Sequence, residues 1–118
     1  MRPQSKTLLD RLVAFGIGAG GVARHLRSDV AGEHFARQLA RSATSVAANY
    51  AEACEAESRR DFVHKMKICL KELRECEVWL RTAGGLTRIR SVPPLAAECD
   101  ELIRIFVASV NTAGRIAD

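Results

Sequence analysis

Residues 35–54 read FARQLARSATSVAANYAEAC. Small or apolar residues recur in this stretch at alternating intervals of four and three: Phe35, Leu39, Ser42, Val46, Asn49 and Ala53. A second row, made mainly of alanine, runs beside it from Ala36 to Cys54. This spacing is typical of a helix that packs along a seam. The stretch therefore predicts an α-helix with an inward face of small residues.

The same spacing recurs in three other segments of the chain. They run from Leu8 to Leu26, from Phe62 to Ala83 and from Leu95 to Ala113. No segment alternates with a period of two for long enough to predict a strand. The sequence therefore predicts an all-α protein, folded as an antiparallel up-down four-helix bundle.

Capping signals lie between the four segments. Ser58 and Asp61 have the spacing of a capping box, which predicts the start of the third helix. Gly84-Gly85 suits the end of that helix, and Pro93-Pro94 after Ser91 suits the start of the fourth. We predict a single domain over residues 1–118, with helices at roughly 5–27, 31–56, 59–83 and 93–115.

The composition favours closely packed helices. Hydrophobic residues make up 47% of the chain and aromatic residues only 5%, whereas sheets draw on aromatic and β-branched residues. The net charge of +4 permits a polyanionic partner without requiring one. The charge-free run from Leu12 to Ala23 is too short to span a bilayer, so we expect a cytoplasmic protein with no membrane partner.

The cysteines and histidines predict no metal site. Cys54, Cys69, Cys76 and Cys99 include no CxxC pair, and no histidine has the spacing that a zinc site needs. We interpret the four thiols as reduced, buried and apolar in character. We also expect no cofactor.

Residues 15–21, FGIGAGG, carry glycines at the spacing of a dinucleotide-binding turn. Phe15 and Ala19, however, continue the helical repeat, and no strand precedes them. We therefore predict no nucleotide site there. Each helical glycine costs about 1 kcal/mol relative to alanine. Close approach to the alanine-rich second helix would offset this cost, and a kink at Gly20-Gly21 is the competing interpretation.

The first predicted helix lacks a charged outer face between Leu12 and Ala23. A helix of an isolated bundle normally keeps such a face. We therefore predict self-association through this helix, whereas the competing interpretation is that small exposed residues are simply tolerated. The interface candidates are Phe15, Gly16, Ala19 and Gly20.

The middle of the chain, from Gln38 to Leu80, carries a family resemblance. Its elements are RSATS at 41–45, ANYAEA at 48–53, SRRDF at 58–62, Lys71-Glu72, Glu75 and Trp79-Leu80. This stretch resembles the bacterial four-helix-bundle family first associated with intervening sequences in large-subunit ribosomal RNA genes. The retroelement accessory variability proteins are related to that family.

The resemblance implies a non-enzymatic helical protein that forms a homo-oligomeric ring, with a pentamer favoured. It also implies nucleic-acid affinity, or a protein partner such as a reverse transcriptase.

Four polar residues lie on or beside the inward face of the second predicted helix: Ser42, Ser45, Asn49 and Glu52. Buried polar groups need hydrogen-bond partners. We predict a structural network between helices, in which an arginine or lysine of a neighbouring helix meets Glu52. No constellation of catalytic spacing accompanies these residues, so we predict no catalytic residue.

The third predicted helix carries a row of basic residues at the same alternating spacing. The row comprises Arg60, His64, Lys67, Lys71, Arg74 and Arg81, with Val78 inside it. We call this row the basic ridge. It predicts a surface that follows nucleic-acid phosphates, extended by Arg37 and Arg41 of the second helix. The competing interpretation is a solvated face neutralised by pairs such as Lys71–Glu75 and Glu77–Arg81.

Two hypotheses on function follow. The first is a homo-oligomeric bundle that binds RNA or DNA non-specifically through the basic ridge. The second is a protein–protein adaptor or scaffold with no direct nucleic-acid contact. Base stacking is not expected, because no aromatic series accompanies the ridge.

Overall fold

The computed structural model describes residues 1–117, with side chains up to Arg115. Within that range the chain forms four α-helices and no strand. The helices are α1 (Pro3–Arg24), α2 (Val30–Cys54), α3 (Arg59–Leu86) and α4 (Val92–Ala117). Each begins and ends within three residues of its predicted bounds. The all-α prediction is thus confirmed for the described residues.

Local capping fixes the starts of the middle helices. The Asp29 carboxylate accepts a hydrogen bond from the Gly32 N–H at 2.8 Å, and the Ser58 hydroxyl accepts one from the Asp61 N–H at 3.0 Å. Gly84-Gly85 do not end α3, because no described glycine has a positive φ and the helix continues to Leu86. Prolines lie in the first turns of α1 and α4, where no helical N–H is lost.

Contacts between the helices establish an antiparallel bundle. Residue numbers rise along α2 as they fall along α3 in the pairs Ser42–Cys76, Val46–Cys69 and Glu52–Lys65. They run oppositely along α1 and α4 as well, because Arg11 pairs with Glu98 while Gly18 faces Leu95. Helices α1 and α3 each pack against α2 and α4, so α1 and α3 lie diagonally opposite, and the α1–α4 seam is the least extensive.

The core runs the length of the bundle and follows the predicted repeats. Its largest fully buried side chains come from all four helices, and Phe106 of α4 meets Tyr50 of α2 edge to face at 5.8 Å. Helix α2 contributes mainly small residues, including Ala36 and Ala43. The alanine row therefore allows its neighbours to pack closely against it.

The FGIGAGG stretch lies inside one continuous helix, so the interpretation of a break at Gly20-Gly21 is wrong. Only Gly16 is close to the α2 backbone: a Cβ atom there would lie 3.7 Å from the carbonyl oxygen of Ala43. A Cβ atom at Gly20 or Gly21 would have no neighbour within 4 Å. The contact at Gly16 is an ordinary van der Waals distance, whereas a Cβ atom at Gly18 would lie 3.0 Å from Cδ1 of Leu95 on α4. Close packing therefore accounts for Gly18, against α4, and not for Gly20 or Gly21.

The predicted interface residues require a correction. Phe15, Gly16 and Ala19 are buried in the protomer's own core, where they face α2 and α4. The helical repeat itself directs them inward, so they are unavailable to a second subunit. Gly20, the fourth candidate, is partly exposed.

A search of the described helices for a membrane span found no stretch with the length and apolarity needed to cross a bilayer.

Gly32 generates a prediction about stability. A Cβ atom at this position would lie 1.7 Å from the Leu26 carbonyl oxygen in the α1–α2 corner, a backbone atom that cannot rotate away. We expect Gly32→Ala to lower the free energy of unfolding by about 2 kcal/mol or more, measured by urea denaturation.

Gly85→Ala is the matched control, because a Cβ atom there meets nothing within 4 Å. It should leave the free energy of unfolding unchanged or raise it by up to about 1 kcal/mol. Equal stability of the Gly32 and Gly85 variants would contradict the steric account of the corner.

Candidate nucleic-acid interface

The basic ridge occupies the outer face of α3. Arg60, His64, Lys67, Lys71, Arg74 and Arg81 are all exposed, as is Val78 within the row. The opposite face of the same helix, which includes Met66 and Leu73, is fully buried in the core. The helix is thus fixed in rotation by its apolar face, and its basic row points to solvent.

No ridge residue forms an ion pair with any other described residue. The pairs Lys71–Glu75 and Glu77–Arg81, which would neutralise the ridge, are not formed in this part of the chain. Glu75 turns instead toward α2, where it accepts a hydrogen bond from Arg41 at 2.7 Å. The ridge therefore keeps its positive charge.

Arg37 and Arg41 do not extend the ridge as predicted. The Arg41 guanidinium bridges two carboxylates of α3, Glu75 at 2.7 Å and Glu72 at 3.3 Å. Arg37 is well exposed but pairs with Glu33 at 3.3 Å, one turn earlier on its own helix. Arg41 is therefore committed to holding two helices together, which the sequence could not show without the register between them.

The two glutamates around Arg41 have opposite pKa shifts. Glu72 is buried, with a relative exposure of 8%, and that burial raises the pKa of its carboxyl. The hydrogen bond from Arg41 lowers the pKa of Glu75. We call Arg41, Glu72 and Glu75 the seam cluster. It is an interhelical polar network of the α2–α3 seam, and the spacing of the sequence had paired Glu75 with Lys71 instead.

The predicted network of Ser42, Ser45, Asn49 and Glu52 is largely internal to α2. The Ser42 hydroxyl donates to the Gln38 carbonyl at 2.8 Å, and the Ser45 hydroxyl donates to the Arg41 carbonyl at 2.8 Å. The Asn49 amide likewise donates to the Ser45 carbonyl at 2.9 Å. Short polar side chains in helices often donate their hydrogen bonds in this way, to a backbone carbonyl of the preceding turn. The predicted network between helices is therefore wrong for these donors.

Two side chains of that set do reach α3. Ser42 accepts a hydrogen bond from the Cys76 thiol at 3.4 Å, and Lys65 donates to Glu52 at 3.1 Å. A basic residue of a neighbouring helix thus meets Glu52, as predicted. Glu52 is exposed rather than inward, so this pair contributes little to stability.

The cysteines behave as core residues. Cys69, Cys76 and Cys99 are buried, and burial raises the pKa of their thiols to about 12, 11 and 12. They are therefore protonated at neutral pH. Cys54 is half-buried and free. Over the described residues, no three His, Cys, Asp or Glu side chains gather as a metal site would require.

Three rings meet where α2 begins and α3 ends, an arrangement that the sequence did not predict. Trp79 stacks on Phe35 at 6.0 Å and meets His34 edge-on at 6.0 Å. Phe35 and Trp79 are partly buried against the core. The group packs this end of the α2–α3 seam, and none of its members belongs to the basic ridge.

The outer surface of α1 is uncharged in its middle. Ile17 is 73% exposed, and Val13, Ala14 and Gly21 are exposed beside it. We call these four residues the neutral face. They differ from the interface candidates chosen from the sequence, because three of those candidates, Phe15, Gly16 and Ala19, lie on the inward side of the same helix.

The chain is similar to known proteins in sequence as well as in fold. The sequence profile of the family described as "23S rRNA-intervening sequence protein" matches residues 22–108. A search of curated proteins returned no significant match. The resemblance read from residues 38–80 is confirmed by the profile.

One solved structure is similar over most of the chain. It is a protein of unknown function from the S23 ribosomal protein family of Bacteroides thetaiotaomicron. The TM-score is 0.76 at 25% sequence identity, and the match covers 86% of this chain and 96% of that one.

The seam cluster predicts a pH-dependent contribution to stability. We expect Arg41→Met to lower the free energy of unfolding by about 1–2 kcal/mol at pH 7, because two ionised carboxylates lose their shared partner. Because the pKa of Glu75 is lowered from its ordinary value of 4.5, its ion pair stabilises the fold fully above that pH. This contribution is lost as the pH falls through the lowered pKa of the folded state. The raised pKa of Glu72 means that its ionised form opposes folding at neutral pH. The difference from wild type should therefore shrink between pH 7 and pH 4.

Urea denaturation at both pH values tests this. Arg37→Met is the control, since it removes only the pair with Glu33 on one helix, and it should change stability little at either pH. A loss for Arg41→Met that is equal at pH 7 and pH 4 would assign the effect to packing of the arginine stem instead.

Proposed function

Because the chain belongs to the 23S rRNA-intervening sequence protein family, we propose that it is a non-enzymatic homo-oligomeric bundle that binds RNA or DNA through the basic ridge of α3. The observation that carries the proposal is the absence of any ion pair on the ridge within residues 1–117. The family name refers to ribosomal RNA, and the structural neighbour is assigned to a ribosomal protein family, so RNA is the first polyanion to test.

The distribution of charge supports a dedicated surface. The acids Glu98 and Glu101 of α4 pair with Arg11 of α1, and Asp100 pairs with Arg104. On α3, Glu72 and Glu75 belong to the seam cluster, while Glu77, between Arg74 and Arg81 in the sequence, forms no ion pair with a described residue. Outside the ridge, six of the thirteen lysines and arginines form ion pairs, whereas no ridge residue does so with any described residue. Phosphates would replace the missing carboxylates there.

The length of the ridge suits a nucleic-acid backbone. From Arg60 to Arg81 a helix rises about 30 Å, at about 1.5 Å per residue. Successive basic residues lie on one face over that whole length. A strand or groove edge that follows α3 would therefore contact several phosphates and release their counterions.

The ridge offers little for reading bases. The ridge contains no Phe, Tyr or Trp, and the ring group at Phe35 and Trp79 is packed against the core. Binding should accordingly be electrostatic, non-specific in sequence and sensitive to salt.

Self-association is the second part of the proposal. The neutral face of α1 presents Val13 and Ile17 to solvent, with Asp10 and Arg24 at its two ends, and its uncharged middle suits burial against another subunit. The family resemblance favours a pentamer. Several ridges on one assembly would bind a long polyanion more tightly than one ridge does.

A protein–protein adaptor is the alternative, favoured by that same exposed apolar surface. In this case the neutral face or the ridge would engage another protein, such as a reverse transcriptase, and no nucleic acid would bind. We keep the expectation of a cytoplasmic location, with no membrane partner, under either proposal.

Charge reversal tests the ridge. We expect Lys67→Glu with Lys71→Glu to abolish binding of a fluorescently labelled RNA hairpin and of a DNA duplex, because two central phosphate contacts become repulsive. Fluorescence anisotropy at several salt concentrations measures the affinity, and the wild-type salt dependence should have a log–log slope of several units.

The control carries the same change in charge elsewhere: Lys6→Glu on α1 with Arg104→Glu on α4, both exposed. It should retain most of the affinity. If wild type binds neither probe at low salt, the adaptor alternative replaces the proposal. If the ridge variant binds as wild type does, the ridge is not the site.

Self-association has its own test. We expect Ile17→Arg to convert the assembly to monomers in light scattering coupled to size exclusion, because it places a charge in a buried apolar contact. Val30→Arg is the matched control, since Val30 is 90% exposed but lies outside the neutral face, at the start of α2. A monomeric wild type would overturn this part of the proposal.

A further inference from the structure

A cleft of about 510 Å³ lies between the first half of α3 and the last turns of α4. Three ridge residues, Arg60, His64 and Lys67, line it from one side, and Arg115 lines it from the other. Arg115 lies on a different helix from the ridge, so the periodicity of α3 could not predict its position. The cleft therefore has basic residues on two sides, three from the basic ridge of α3 and one from α4.

The electrostatics of the cleft favour an anion. Its lining contains no aspartate or glutamate among the described residues. None of its basic side chains forms an ion pair with another described residue. Arg115 donates one hydrogen bond, from its Nε to the Asn111 carbonyl at 3.3 Å. The remaining guanidinium donors of Arg60 and Arg115 are arranged as planar forks, which match phosphate oxygens.

The size and the rest of the lining fit a phosphate group with its flanking sugar. The volume lies within the range of small-molecule sites, which is about 300–1,000 Å³. Val63, Val110 and Gly114 provide apolar wall and open space between the basic groups.

We propose that the α3–α4 cleft is a phosphate site, in which Arg60, Lys67 and Arg115 hold one phosphate group between the two helices. This inference rests on the proposed function for the identity of the natural ligand, a nucleic-acid backbone. It adds that the backbone is anchored in the cleft and is not held evenly along α3. Lys71 and Arg81 then guide the strand but do not anchor it.

Neutral substitutions separate the anchor from the rest of the ridge. We expect Arg115→Gln and Lys67→Gln each to weaken binding of a labelled twelve-nucleotide RNA about tenfold and to reduce the salt slope by about one unit. Lys71→Gln is the matched control, because Lys71 lies one turn from Lys67 on the same ridge and outside the cleft. It should weaken binding only about twofold to threefold.

Gly114 offers a variant that removes no cation. A Cβ atom at Gly114 meets nothing within 4 Å, so Gly114→Glu adds a carboxylate to the cleft without a steric clash at the backbone. We expect it to weaken RNA binding as much as Arg115→Gln does. Gly114→Gln has nearly the same shape without the charge and should bind like wild type. Circular dichroism and thermal unfolding check that all variants are folded.

Inorganic pyrophosphate distinguishes failure of the site from failure of the proposed function. We expect wild type to bind pyrophosphate by isothermal titration calorimetry, and Arg115→Gln and Gly114→Glu to lose that binding. Should wild type bind pyrophosphate but no RNA, the phosphate site stands, the nucleic-acid function fails, and a free phosphate compound becomes the ligand.

Two outcomes overturn the inference. One is RNA binding by wild type that is unaffected by Arg115→Gln and Gly114→Glu but lost in the Lys67→Glu/Lys71→Glu variant; the proposed function then stands with the strand along α3. The other is an absence of binding to both RNA and pyrophosphate, which overturns the phosphate site together with the proposed function.

Discussion

The register between α2 and α3 is the constraint on which the surface of this protein depends. The buried contacts of Cys69 and Cys76 with α2 set that register, and it brings Arg41 between Glu72 and Glu75. The pairing draws Glu75 away from Lys71, its neighbour at i−4 on the ridge. A stabilising contact on one seam therefore leaves positive charge uncompensated on the adjacent face. The packing of the α2–α3 seam and the exposed positive charge of α3 have one common origin.

The diagonal placement of α1 and α3 separates two chemically different surfaces. Both helices pack on α2 and α4, so the neutral face of α1 and the basic ridge of α3 point in opposite directions. The buried side of α1 carries Leu12, Phe15 and Val22, while its outer side has no charge from Val13 to Gly21. An assembly built through the neutral face would bury apolar surface without burying a ridge cation, and this avoids the cost of desolvating charge.

Sequence periodicity predicted the helices and the exposure of the ridge because each property depends on one helix alone. It could not predict the partners of Arg41, the close contact of Gly32 with Leu26, or the position of Arg115 in the same cleft as Lys67. Each of these depends on how two helices are aligned and rotated against each other. The same reason explains the misplaced interface: the repeat of α1 puts Phe15 and Ala19 in the core, and only the packed bundle shows that Val13 and Ile17 remain outside.

The proposed assembly and the proposed binding mode reinforce each other through geometry. If subunits associate through α1, each α3 faces the periphery, where a long polyanion could contact several subunits at once. A single ridge of a few cations binds weakly at physiological salt, because each phosphate contact is offset by the restored counterions. Repetition of the ridge raises the effective concentration of the next site and compensates for that weakness. A small bundle without base-reading groups could in this way hold a nucleic acid firmly while remaining indifferent to its sequence.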